Sequence, residues 1–120
     1  MVEVEGKENM STDITSSPAW GRLTGLPKPG HLRELFDGDP DRGRRFVLDL
    51  AGLRVDFAKQ RIDDDILAAL IDVAASAGVE SRRDAMFAGE HINTTEDRPV
   101  LHVALRAPAG TTITADGTDV

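Results

Sequence analysis

Cysteine is absent from these 120 residues. That removes disulfides, thiolate metal sites and cysteine nucleophiles, and leaves packing alone to hold the fold. No apolar run approaches the ~18 residues of a membrane span. The acidic opening MVEVEGKENM has neither the basic nor the apolar region of a secretory signal. Basic side chains are outnumbered, 14 against 21 acidic, for a formal charge of -7. A net negative surface repels phosphate backbones and anionic lipid, so neither nucleic acid nor membrane is an expected partner. No glycine-rich loop leads from a strand into a helix to cradle a phosphate, and no internal repeat occurs. The address these absences suggest is cytoplasmic.

What is present suits a folded chain. Hydrophobic residues make up 40% and charged residues 29%, outside the composition at which chains stay disordered. A chain of this length is about one small domain and can bury roughly two-thirds of its unfolded surface. Residues 1–17 are the exception, being rich in Glu, Ser and Thr with isolated apolar positions, and they read as a disordered polar arm. From Pro18 a helix can start, capped by Ser17 and broken by Pro27, Pro29 and Gly30. The segment His31 to Phe36 resumes a short helix, with Leu32, Leu35 and Phe36 on one face, and stops at Gly38, Asp39 and Pro40.

Alternation then takes over. Phe46, Leu48 and Leu50 alternate with Val47 and Asp49, and Leu53, Val55 and Phe57 with Arg54 and Asp56, which predicts two strands joined at Ala51 and Gly52. Asp63, Asp64 and Asp65 cap a helix reaching about Ala77, whose Ile66, Leu67, Leu70, Ile71, Val73, Ala74 and Ala77 make a broad apolar face. Gly78 and Val79 suit a left-handed helix end. A second helix is expected over Glu80 to Phe87, ending near Gly89, and a third from about Thr95, with Val100, Leu101, Ala104 and Leu105 facing a core. TITADGTDV reads as a tight hairpin turning at Asp116 and Gly117. The chain stops within the second strand of that hairpin, which points to a truncated segment. The fold class is therefore α+β, mostly helical with short antiparallel hairpins.

Polar clusters yield no enzyme by pattern alone. Glu90 to Asp97, with His102 beyond, places acids near imidazoles as general acid/base catalysis does, yet Thr94, Thr95, Glu96 and Asp97 equally mark a helix start. His91, Glu96 and His102 match no common zinc spacing. Asp63 to Asp65 lack the interleaved glycine and closing glutamate of a calcium loop. Arg42, Arg44 and Arg45, or Arg82 and Arg83, have the chemistry to clamp a phosphate, though a solvated face is the simpler reading.

The stretch MFAGEHINTTEDRPVLHVALR (Met86 to Arg106) closely resembles the block MF-x-G-x-x-I-N-x-T-E-x-R-x-V-L-H-x-A-L-R of glucose-6-phosphate isomerases. HLRELF, then Asp39 and Arg42 spaced as D-x-x-R, then VDFAKQRI, and finally ADGTDV resemble that family's other opening segments in the same order. The likeness covers residues 18–120, and similarity to actinobacterial members places a translation start at Met10. Two features depart from it. TGLPKPG interrupts what is usually a longer helix, and Ala58 stands where the family usually has serine.

The resemblance implies a reversible aldose–ketose isomerisation of glucose 6-phosphate and fructose 6-phosphate, in glycolysis and gluconeogenesis. A histidine opens the ring and a glutamate shuttles the proton through an enediol. It also implies a larger α/β protein, a three-layer sandwich of the sugar-isomerase kind, that takes a sugar phosphate, needs no cofactor and forms homodimers when full length. The family's catalytic, phosphate-binding and ring-opening segments have no counterpart in this chain. No catalytic, substrate-binding or metal residue is therefore expected, and His91, Glu96 and His102 are expected to be structural. Residues 18–120 are then the N-terminal segment of the isomerase, truncated before the sugar-phosphate-binding domains, inactive alone and marginally stable. The competing reading is a stand-alone acidic interaction module without catalysis, docking through the Ile66 to Ala77 face.

Overall fold

The first described turn starts from a side-chain cap. In a computed structural model that describes residues 13–120, Asp13 accepts the Thr15 amide at 3.0 Å and starts a short 3-10 turn, Ile14–Ser16. The expected polar arm and the Met10 start fall on residues 1–12, outside the described residues. The arm's last five positions form this turn instead, because Asp13 and Ser16 supply local hydrogen bonds that offset the cost of ordering.

Ser17 then caps α1 (Pro18–Gly25) by accepting the Trp20 amide at 3.1 Å, with Pro18 in the first turn. α1 ends ahead of Pro27, and α2 (Leu32–Gly38) starts from His31. His31 Nδ1 accepts the Arg33 amide at 3.2 Å, while Glu34 accepts the His31 amide at 2.8 Å. The interruption expected at TGLPKPG is thus real. A single helical turn, α3 (Arg42–Arg45), leads into β1 (Val47–Leu50) and β2 (Leu53–Asp56), which pair antiparallel. Ala51 and Gly52 sit at φ 50° and 79°, the positive values a two-residue hairpin turn requires.

The register sorts the ribbon by chemistry. Leu48 pairs with Val55 and Leu50 with Leu53, so these four share one face, while Val47, Asp49, Arg54 and Asp56 share the other. At the base of the apolar face, Phe46 is 2% exposed and meets Phe57 edge to face, with centroids 5.3 Å apart. Toward the tip that face opens to solvent, with Leu50 72% exposed. α4 (Asp64–Ser76) follows, capped by Asp63, whose Oδ1 accepts the Ile66 amide at 2.9 Å. Ala69 is buried, whereas Leu70 and Ile71 are exposed.

The chain divides into two compact units near Val73. The second takes up the last turn of α4, then Gly78 at φ 69° and α5 (Val79–Phe87). Gly89, at φ 74°, is a tight place for a side chain: a Cβ there would lie 3.2 Å from the Thr114 carbonyl oxygen, which would have to give way slightly. The closing hairpin is as expected, β3 (Thr114–Ala115) and β4 (Thr118–Asp119), turning through Asp116 and Gly117 at φ 51° and 74°.

The helix expected from Thr95 does not form. Asn93 and Arg98 instead exchange both backbone hydrogen bonds at 3.2 Å, and residues 94–97 make a tight loop with Asp97 at φ 50°. Asn93 Oδ1 also accepts the Glu96 amide at 3.3 Å, so a side chain with helix-capping chemistry closes a loop. Pro99 brings no amide to restart the ladder. Of the expected helix only a 3-10 turn, Ala104–Arg106, is wound, and Leu105 is 84% exposed instead of core-facing.

The architecture is α+β, with helices and two small antiparallel hairpins. No helix of the described residues is long and apolar enough to cross a membrane. Their buried apolar side chains are Phe46 and four alanines, Ala19, Ala58, Ala69 and Ala115. A core this slight stabilises weakly, since burial scales with apolar area.

Candidate functional site

His91 is the most heavily engaged titratable residue of the second unit. Its Nδ1 lies 2.9 Å from Asp97 Oδ1 and its Nε2 2.9 Å from Asp116 Oδ1. Both aspartates have positive φ, so the ring joins two strained turn residues, one from the 94–97 loop and one from the tip of the β3–β4 hairpin. An ionised carboxylate only accepts, and a neutral imidazole has one N–H to donate. Both contacts are satisfied together only by the imidazolium. Hydrogen bonding to Asp97, and then to Asp116, accordingly raises the His91 pKa above its ordinary value.

The remaining polar groups of the cluster serve the loop itself. Asn93 Nδ2 donates to Glu96 Oε2 at 3.1 Å, and the same oxygen lies 3.5 Å from Arg98 Nη1. Glu96 and His102 border one open hollow of about 410 Å³, together with Asn93, Arg98 and Leu105. His91 does not line it, so the two histidines and Glu96 are not gathered into one site. As a proton-transfer centre the arrangement is poor, because its imidazolium is already shared between two carboxylates. Sequence spacing gave no sign of the His91–Asp116 contact, which spans 25 residues.

In the first unit the arginines separate. Arg42 is 2% exposed, and its guanidinium donates to three backbone carbonyls: Nε to Ala58 at 2.8 Å, and Nη2 to Gln60 at 2.7 Å and Ile62 at 2.8 Å. It also lies over the Phe46 ring, 4.4 Å from the centroid. One buried cation thereby pins the whole turn after β2 to the start of α3. Arg45 donates to Asp39 Oδ2 at 2.8 Å and to Asp64 Oδ2 at 2.9 Å, and these bonds, Asp64 first, push its pKa further up. The solvated-face reading holds for Arg44, whose side chain is 90% exposed, and fails for Arg42. A cleft of about 210 Å³ between α2, α3 and the start of α4 is lined by Arg42 and Arg45. It also presents Asp39, Asp63 and Asp64, and that mixture disfavours a phosphate.

Asp63 is spent as a helix cap and Asp64 as a partner of Arg45, so capping accounts for the first residue of the acidic run and ion pairing for the second. Arg82 and Arg83 stand on the exposed side of α5, where Arg83 pairs with its neighbour Asp84 at 2.8 Å. No group of three or more His, Asp or Glu among the described residues is arranged to hold a metal ion. Ala58 is 3% exposed, and its carbonyl rather than its side chain carries the contact at that position.

Comparison with known proteins gives these features a context. The family model described as phosphoglucose isomerase matches residues 56–120. Glucose-6-phosphate isomerase 1 of Rhodococcus jostii (strain RHA1) is 52% identical over 114 residues, covering 92% of this chain and 21% of that protein. The glucose-6-phosphate isomerase of Mycolicibacterium smegmatis is 50% identical over 114 residues, with the same coverage. That of Mycobacterium tuberculosis (strain ATCC 25177 / H37Ra) is 48% identical over 111 residues, covering 90% of this chain and 20% of the protein. The chain spans about a fifth of the length of the curated relatives it matches.

Proposed function

The chain belongs to the phosphoglucose isomerase family, and on that premise we propose that it is a structural, non-catalytic segment of a glucose-6-phosphate isomerase. The whole protein interconverts glucose 6-phosphate and fructose 6-phosphate by proton transfer between neighbouring carbons. The base, the ring-opening residues and the phosphate loop belong to parts of the family protein with no counterpart in these residues. The sugar phosphate and the partner subunit of a homodimer are engaged by the whole protein.

One observation carries the non-catalytic part of this reading. Three of the side chains best suited to chemistry are committed to the fold, His91 to two carboxylates, Arg42 to three carbonyls and Arg45 to two aspartates, while His102 borders an open hollow away from His91. A general base or phosphate clamp needs free lone pairs or free donors facing a substrate. The interaction-module reading has the exposed Leu70 and Ile71 in its favour. Identity near 50% over nine-tenths of the chain to enzymes of one name favours the isomerase.

The test is a chimera in which this chain replaces the matching 114 residues of the Rhodococcus jostii enzyme. Isomerase activity measured by coupled oxidation of glucose 6-phosphate is expected within about tenfold of the parent, a change of about 1.4 kcal/mol or less in transition-state stabilisation. A folded chimera with no activity would overturn the proposal.

A further inference from the structure

The β1–β2 ribbon carries an apolar face that nothing in its own unit covers. Leu48, Leu50, Leu53 and Val55 are 55%, 72%, 68% and 49% exposed, and the ladder register places all four on one side. The opposite side is polar and closed on itself, with Arg54 Nη1 3.2 Å from Asp49 Oδ2. Exposure climbs from the buried Phe46 at the base outward to Leu50, so the patch continues the core of the unit. A two-stranded ribbon with four-residue strands is barely stable without a packing partner, and an uncovered apolar ribbon invites edge pairing.

Two physical limits identify the occupant. Four side chains make a patch of a few hundred Å², on the order of the largest apolar patch of an ordinary monomer. Pairing two such patches stays below the ~1,200 Å² of a stable interface between separate molecules. A formal charge of -7 on each copy further opposes self-association. A patch too small to hold a free partner is well suited to one held at high effective concentration by covalent continuity. The curated relatives that match nine-tenths of this chain are about five times its length, which supplies such a partner.

We propose that the Leu48, Leu50, Leu53 and Val55 face is the seam by which this segment docks on the remaining body of the same family polypeptide, against an apolar surface of that body. The inference rests on the isomerase reading, but it is read out by stability instead of activity. Leu50→Asp with Leu53→Asp is introduced both into the chimera described above and into the 120-residue chain. In the chimera the pair is expected to lower the thermal midpoint by at least about 5 °C, whereas Asp49→Ser with Arg54→Ser on the polar side moves it by less than about 2 °C. In the 120-residue chain both leucines already face water, so Leu50→Ala with Leu53→Ala moves the midpoint by less than about 2 °C, and the aspartate pair lowers it only by the repulsion of two like charges directly opposite in the ladder, by less than in the chimera. Leu50→Ala with Leu53→Ala gives a smaller loss in the chimera and covers the case in which the aspartates prevent its accumulation.

An unmoved chimera midpoint overturns the docking whether or not the wild-type chimera isomerises sugar phosphate. So does a dimer of the 120-residue chain that the aspartate pair splits, because the occupant is then a second copy. Activity of the wild-type chimera bears on the isomerase reading alone.

Discussion

Replacing Arg42 by alanine should unfold the first unit, and the structure allows the cost to be worked out. The substitution removes three hydrogen bonds from a cation, to the carbonyls of Ala58, Gln60 and Ile62, all between 2.7 and 2.8 Å. Bonds to charged groups contribute about 1.5–3 kcal/mol each. Their sum is too large as a net figure, because the same change relieves the desolvation of a buried guanidinium and because the Gln60 and Ile62 carbonyls are partly open to water. The Ala58 carbonyl is buried and stays unpaired, at about 1–3 kcal/mol. Loss of the stacking over Phe46 and of the volume between Phe36 and Phe46 adds about 1–2 kcal/mol. The net expectation is about 4 kcal/mol, comparable to the whole stability of a small domain with so slight a core. Arg42→Lys keeps the charge but cannot span three carbonyls from one ammonium, and should lose about half as much. Trp20, the single tryptophan of the chain, lies in α1 of the same unit and reports urea unfolding by fluorescence. A shift of less than about 1 kcal/mol for Arg42→Ala would refute the reasoning, because it is below the cost of one orphaned buried carbonyl.

Three further outcomes are expected. The His91 pKa is raised in the folded chain, so its contribution is complete below the unfolded value of about 6.5 and is lost as pH rises through the folded value; protection of the Ala115 and Thr118 amides, taken relative to their unstructured exchange rates at each pH, should fall across that interval. In His91→Gln that fall in protection should vanish, and identical protection profiles for the two proteins would contradict a stabilising His91–Asp116 contact. Asp63→Ala should cost about 1 kcal/mol by orphaning the Ile66 amide, while Asp63→Asn stays within a few tenths; urea midpoints that do not separate the two variants would remove the cap from the account. Gly89→Ala should cost about 2 kcal/mol, from a left-handed backbone and a Cβ 3.2 Å from the Thr114 oxygen; a thermal midpoint equal to the wild type would show that the approach relaxes freely.

Where the sequence was legible, local physics decided the outcome. Ser17 and Asp63 are caps whose acceptors act within three residues, and Ala51–Gly52 and Asp116–Gly117 are turns fixed by their own φ angles. The alternation from Phe46 to Phe57 correctly gave a ribbon with one apolar face. Failure came at Thr95, where helix-start chemistry and tight-loop chemistry use the same residues. The Asn93–Arg98 exchange, which needs the chain to double back, decided between them. Arg42 was misjudged for a related reason. Nothing in its neighbourhood of arginines distinguishes a buried cation from a solvated one, and its acceptors lie 16 to 20 residues away in a turn whose path had to be folded first. The His91–Asp116 contact is of the same kind. The expectation that no catalytic group lies in this chain came from the resemblance alone, and the hydrogen-bond partners of His91, Arg42 and Arg45 are consistent with it.

The central claim is that these residues build part of an isomerase without performing its chemistry. The most direct test is the purified 120-residue chain in a coupled assay with fructose 6-phosphate, at a protein concentration at which the Rhodococcus jostii enzyme is readily detected. The account predicts a rate indistinguishable from a mock preparation. Turnover above that level, if abolished by substituting His91 or His102, would contradict it and place the chemistry within this chain.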